Sequence, residues 1–331
     1  LTDRVDGIIL RVHNLRPYRQ KGVEMLTIFT KMLTIALLLA IGALVYKLGI
    51  IGKASSKELS ALIVQLCNPM LVITNALADP DALTPATLGL SLVVVLVIYL
   101  VLIGLGHLLP RLLGAPKQAY PSYLMLTLFG NSAFIGIPVT LSILGSSAMP
   151  FVIVYNVVYN LFFYLYGEQV VSKAAGKQAA FSPKKLVNSG TVACAIAISV
   201  YLLHLSLPEW LGQGLGYISS ATTFLSMLVL GITLATSPLR QVLGNVRCYL
   251  FSALRILVFP ILLALVLRLV FPDSPMMVSA LVLMAAMPAA NTPVMMAAQY
   301  DMNTDTLTSG ILISTLMCLV TIPLVSGFFP V

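Results

Sequence analysis

Charge is what this sequence has least of. Only 9% of its 331 residues are Asp, Glu, Lys or Arg, against 59% hydrophobic, where a soluble chain carries about a quarter charged. That shortage argues against a soluble globular domain and for an all-α integral membrane protein, whose length divides into spans. Cysteine is sparse as well. Cys67, Cys194, Cys248 and Cys318 all fall in apolar stretches and lack metal-ligand spacing, which makes them small core residues and argues against a disulfide framework or a zinc site. No His/Asp/Glu cluster, activated Ser or Cys arrangement or phosphate-cradling loop occurs, so neither an enzyme nor a metal or cofactor is expected. No acidic residue lies deep in an apolar segment, so an obvious proton or sodium carrier is missing. The net charge of +8 does not imply nucleic acid, because the basic residues sit in short loops and at span ends, where they set topology.

What is present is a series of apolar windows. A span needs about 20 residues to cross about 30 Å of hydrocarbon. The charge-poor windows predict ten spans, near 27–46, 59–78, 87–107, 119–143, 149–169, 186–206, 214–236, 248–270, 275–299 and 306–328. Residues 1–24 are polar, carry Arg4, Arg11, Arg16, Arg19 and Lys21, and precede Met25. They read as a leader of doubtful status or a short surface helix, and a cleaved signal peptide fits less well, because the following apolar segment runs on into an ordinary span. The expected organisation is that leader, a first five-helix repeat over 25–170, a short loop over 171–185 and a second repeat over 186–331.

Loops after alternate spans differ in sign. Lys47, Lys53, Lys57, Arg111, Lys117, Lys173, Lys177, Lys184, Lys185, Arg240 and Arg247 fall in one set, while the other set holds Asp79, Asp81, Glu209 and Asp273. The positive-inside rule puts the first set in the cytoplasm and both termini outside.

One stretch is poorly built for a plain membrane helix. The uncharged run from Gln118 to Gly167 contains Gly130-Asn131-Ser132-Ala133-Phe134-Ile135-Gly136-Ile137-Pro138. Pro138 cannot donate to the carbonyl four residues back, which predicts a helix break there. Non-helical backbone at that depth is tolerated only when buried in protein or lining a wet cavity. Met287-Pro288-Ala289-Ala290-Asn291-Thr292-Pro293 is a second such stretch. Two Gly/Pro-interrupted apolar segments in corresponding halves point to a transporter's binding site. The halves also repeat. Met70–Ala78 resembles Met227–Ala235, and Asn131-Ser132 corresponds to Asn291-Thr292. Five spans per half insert with opposite topology, which predicts a 5+5 inverted repeat with spans 4 and 9 broken.

The segment at 130–139 resembles the span-4 signature of the auxin efflux carrier family, which includes plant auxin exporters and bacterial permeases for malate, malonate and related acids. Cys67-Asn68-Pro69, Leu230-Gly231-Ile232-Thr233-Leu234-Ala235 and Met287-Pro288 through Gln299-Tyr300-Asp301 agree with it. The resemblance covers roughly residue 26 to the C-terminus. It implies a ten-span inverted repeat in which helices 4 and 9 unwind and cross at prolines, here Pro138 and Pro293. The short segment at 171–185 matches the bacterial branch, not the large plant exporters.

The side chains best placed to hold an anion are Asn131, Ser132, Asn291 and Thr292. Amides and hydroxyls donate hydrogen bonds to a carboxylate without adding a buried charge, and a half-helix starting after a break directs its positive end into the site. The competing reading is that they only satisfy carbonyls freed by the prolines. Gly136, Pro138, Pro288 and Pro293 are the expected break and crossover residues. Asn68-Pro69 is expected to kink its span. Tyr155, Asn156, Tyr159 and Asn160 share a helix face by i,i+4 spacing, as pathway residues or interhelical glue. Arg255 is a basic residue well inside a span, which marks a functional suspect or a snorkelling side chain. Glu168 and Asp301 are expected to be solvated at span ends.

These features predict a secondary carrier of a small mono- or dicarboxylate in a bacterial cytoplasmic membrane. Its partners are the lipid bilayer and H+ or Na+ as coupling ion, and the chain acts alone or as a homodimer. The alternatives are a sodium-coupled organic-anion symporter of the bile-acid-symporter type and a non-transporting anion receptor.

Overall fold

A computed structural model describes residues 28–78, 84–177, 186–205, 207–236 and 244–329, so the leader at 1–24 and the segment 178–185 lie outside the described residues. All regular structure among them is helical. Seven helices are long and apolar enough to span a membrane: α1 (Ile28–Lys47), α2 (Ala54–Leu77), α3 (Pro85–Leu112), α6 (Ser146–Ala174), α8 (Glu209–Thr236), α9 (Val246–Val270) and α12 (Asp305–Ser326). Each coincides with one of the apolar windows. The remaining windows hold shorter helices. The fourth contains α4 (Tyr120–Leu128) and α5 (Ser132–Leu144), the sixth α7 (Ser189–Leu203), and the ninth α10 (Pro275–Ala285) and α11 (Thr292–Gln299). Because α6 runs to Ala174, the connection expected from residue 171 begins later.

Local sequence explains where these helices start. Thr84 accepts the Thr87 N–H at 3.2 Å ahead of Pro85, and Asn188 accepts the N–H groups of Gly190 and Thr191 ahead of α7. Such caps satisfy donors that have no partner inside the helix.

Prolines inside the long segments are handled differently. In α2 the Asn68 N–H reaches five residues back to Ile63, in α5 the Ile137 N–H reaches Ser132, and in α9 the Phe259 N–H reaches Leu254. Each of these π turns ends on the residue before a proline: Pro69, Pro138 or Pro260. The extra residue in the turn moves the preceding carbonyls away from the pyrrolidine ring, and the helix continues. The break expected at Pro138 is therefore absent, and Pro69 is likewise taken up by a π turn.

The burial pattern is that of a membrane bundle. Every residue from Met277 to Met287 of α10 and its C-terminal extension is at most 1% exposed, and residues 288–290 are buried too, so this segment lies at the centre. An apolar helix buried on all sides needs no polar face. Leu33, Leu37 and Leu44 of α1 and Leu262, Leu265 and Leu269 of α9 are instead exposed, as suits surfaces facing hydrocarbon. Gly42 and Gly231 let α1 and α8 touch backbone to backbone, since a Cβ on either would collide with a carbonyl of the other helix. Around the centre, α10 packs on α5 and α6, while α12 packs on α4 and α9.

Candidate functional site

Two helix interruptions meet at the centre. The chain leaves helix at Phe129 (φ −110°, ψ 88°) and re-enters at Ser132, and the second gap runs from 286 to 291. Asn131 N–H donates to the Pro288 carbonyl at 2.6 Å, and Ala290 N–H donates to the Phe129 carbonyl at 2.9 Å. Gly130 and Ala289 thereby form one antiparallel bridge. A Cβ at Gly130 would sit 3.4 Å from the Met287 carbonyl oxygen, an ordinary contact.

Other freed groups also find protein partners. Ala289 N–H donates to Ser314 Oγ of α12 at 3.1 Å, and Ser132 N–H to the Gly130 carbonyl at 2.8 Å. Arg255 Nε donates to the Thr127 carbonyl at 2.6 Å, and its Nη1 to the Ala285 carbonyl. These are carbonyls at the C-terminal ends of α4 and α10. Broken backbone is stable in hydrocarbon only with such internal satisfaction.

The helices after the gaps, α5 and α11, begin immediately beyond the bridge. Asn131 caps α5, its Oδ1 accepting the Phe134 N–H at 3.1 Å. The Asn291 carbonyl accepts the N–H groups of Val294 and Met295 at the start of α11. Two positive helix ends therefore begin at one point, which suits an anion.

Of the residues singled out in the sequence, the fold brings Asn131, Ser132, Asn291 and Thr292 to this bridge. Asn131 and Ser132 are each 4% exposed, Asn291 is half-buried and Thr292 is exposed. Thr292 Oγ1 and the Tyr159 hydroxyl lie 2.7 Å apart, and Tyr159 packs edge-on against Phe129. Pro288 lies within the second gap, and Pro293 is the second residue of α11. Gly136 and Pro138 lie in α5, where Gly136 packs against Met284.

Asn156 and Asn160 bond within their own helix. Their amides donate back to the Val152 and Asn156 carbonyls of α6 at 2.9 and 2.8 Å. The Asn68 amide is buried and makes no hydrogen bond among the described residues, and neither does the hydroxyl of Tyr155. Arg255 does not snorkel. It is 2% exposed and its guanidinium lies 5.7 Å from the Phe259 ring centre. Its Nη2 has no hydrogen-bond partner among the described residues.

A second polar group ties the far end of α11 to α6. Glu168, expected in solvent, is 5% exposed and accepts the Tyr300 hydroxyl at 2.6 Å. Asp301 is exposed and pairs with Lys177 at 2.7 Å, which holds its carboxyl below the usual carboxylate range. Sequence reasoning passed over Thr127 and Ser314. Ser314 carried a signal, a hydroxyl on α12 facing the second gap, whereas Thr127 takes part through its backbone carbonyl and its hydroxyl donates to the Tyr123 carbonyl within α4. Among the described residues, no group of three or more His, Cys, Asp or Glu side chains could hold a metal ion.

The membrane transport protein family model matches residues 27–326. The chain belongs to this family, that of the auxin efflux carriers. It is also 28% identical over 295 residues to an uncharacterized transporter of Methanothermobacter thermautotrophicus, covering 88% of this chain and 95% of the relative. The protein is thus a multi-pass membrane transport protein. Its family is one of membrane transport proteins.

Proposed function

We propose that this family member is a secondary carrier of a small mono- or dicarboxylate, working by alternating access, with the anion held at the Gly130–Ala289 bridge. The observation that carries this reading is the convergence of the α5 and α11 N-termini on backbone paired between two distant segments. Asn131, Ser132, Asn291 and Thr292 would donate to the carboxylate, with Tyr159 behind Thr292. Counting α4–α5 and α10–α11 each as one interrupted span and adding α7 brings the total to ten. Five spans on either side of 171–185 would make an inverted repeat, whose interrupted members cross at the bridge. The proposed setting is the bacterial cytoplasmic membrane with both termini outside, by the loop charges.

The test is exchange in sealed liposomes. Purified protein, preloaded with a panel of mono- and dicarboxylates, is assayed against labelled malate with and without sodium and pH gradients. The account predicts exchange with a defined subset of acids, and the gradient dependence names the coupling ion, separating a sodium symporter of the bile-acid type from a proton-coupled or uncoupled carrier. Saturable binding with no flux would establish the receptor alternative and overturn the carrier.

A further inference from the structure

Four helix ends meet at the paired gaps, two positive and two negative, and without a further charge they offer an anion no net attraction. Each helix terminus carries roughly half an elementary charge, positive at the N-terminus and negative at the C-terminus. The N-termini of α5 and α11 together present about +1, and the C-termini of α4 and α10 about −1. In a low-dielectric interior the negative pair would oppose the approach of a carboxylate. Arg255 is bonded to both members of that pair, through the Thr127 and Ala285 carbonyls. Its single positive charge matches the sum of two half-charges. It sits on α9, outside both interrupted segments, and is 98% buried. An isolated charge at this depth is costly, so its partners must define its place.

We propose that Arg255 is a resident cation of the site. It neutralises the negative ends of α4 and α10 and bridges them, leaving the positive ends of α5 and α11 to hold a carboxylate without a metal cation bound between those carbonyls. Arg255 is then a positioning residue, since it acts on the anion through the two helix ends. The inference rests on the bridge being the anion site, and it adds where the compensating charge comes from. A bound sodium ion needs oxygen ligands, and here the Thr127 and Ala285 carbonyl oxygens at the ends of α4 and α10 already serve a guanidinium.

Chemical rescue tests charge against shape. In the full-length Arg255→Ala protein, carboxylate affinity should fall about tenfold or more, the equivalent of one charge-assisted hydrogen bond. The Tm of the substrate-free protein should fall as well. Guanidinium ion at low millimolar concentration should restore both, while urea, planar and similar in size but neutral, should not. Arg255→Lys, which keeps the charge but reaches one carbonyl at a time, should lie between wild type and Arg255→Ala in Tm and affinity. Equal rescue by urea, no rescue by guanidinium, or Arg255→Lys no better than Arg255→Ala would overturn the proposal. If Arg255→Ala does not fold, the lysine variant alone decides. The Tm readout needs no cargo: rescue of Tm by guanidinium in a protein that exchanges no acid would remove the carrier reading and leave the resident cation standing.

Discussion

The two interruptions are built to different plans. The first takes three residues, Phe129 to Asn131, and its polar side chains are buried. Asn131 is committed on three sides: its N–H to Pro288, its Oδ1 to Phe134 and its carbonyl to the Gly136 N–H. The second takes six residues, 286 to 291, includes a proline, and ends in a half-buried Asn291 and an exposed Thr292. It borrows support from outside, from Ser314 of α12 and Tyr159 of α6. In the proposed site the first gap would be the buried wall and the second the accessible face. Arg255 is common to both, which is why its loss is the largest effect expected here.

That contrast can be broken from the second side alone. Ser314→Ala leaves the Ala289 N–H buried without its acceptor. An orphaned buried donor costs about 1–3 kcal/mol, so the variant should lose about that much stability and exchange more slowly, as seen in a lowered Tm and a liposome assay. An unchanged Tm would mean that the second gap does not lean on α12. Tyr159→Phe removes one hydroxyl from Thr292 and keeps the ring against Phe129. It should cost about 1 kcal/mol, with a severalfold weaker carboxylate affinity. A wild-type affinity would take Thr292 out of the site.

The smallest effect should come from the far end of α11. Lys177 and Asp301 are exposed, and surface pairs contribute little. The Asp301 carboxyl is held below its usual range, so the pairing is present at neutral pH and is lost only as pH falls through that lowered value. Asp301→Asn should leave Tm unchanged at pH 7 within error. A large drop would show that this end of α11 is a structural anchor.

Much of this was legible in the sequence, for physical reasons. Charge-free windows located the seven long helices because hydrocarbon tolerates few charges. Asn131-Ser132 and Asn291-Thr292 stood out because polar groups beside Gly and Pro are rare in spans. The position of the first break was not legible. Pro138 looked decisive, but the π turn over Ser132–Gly136 absorbs it, and the gap is centred eight residues earlier at Gly130, where the chain pairs with Ala289. Nor was the role of Arg255, since its partners are backbone carbonyls on two other segments and leave no side-chain signature. Glu168 looked like a span-end charge, and only the fold brings Tyr300 over it.

The central claim is that a carboxylate is held where the two gaps pair, and Asn131 is its most exacting test. Removing an N-cap costs about 1 kcal/mol, so Asn131→Ala should still fold. The measurement is carboxylate affinity and exchange rate of that variant in liposomes, beside wild type at equal incorporation. The account predicts affinity weaker by about tenfold, the loss of one hydrogen bond to a charged group, with a Tm only slightly lowered. Wild-type affinity and flux in an active, folded Asn131→Ala protein would contradict it.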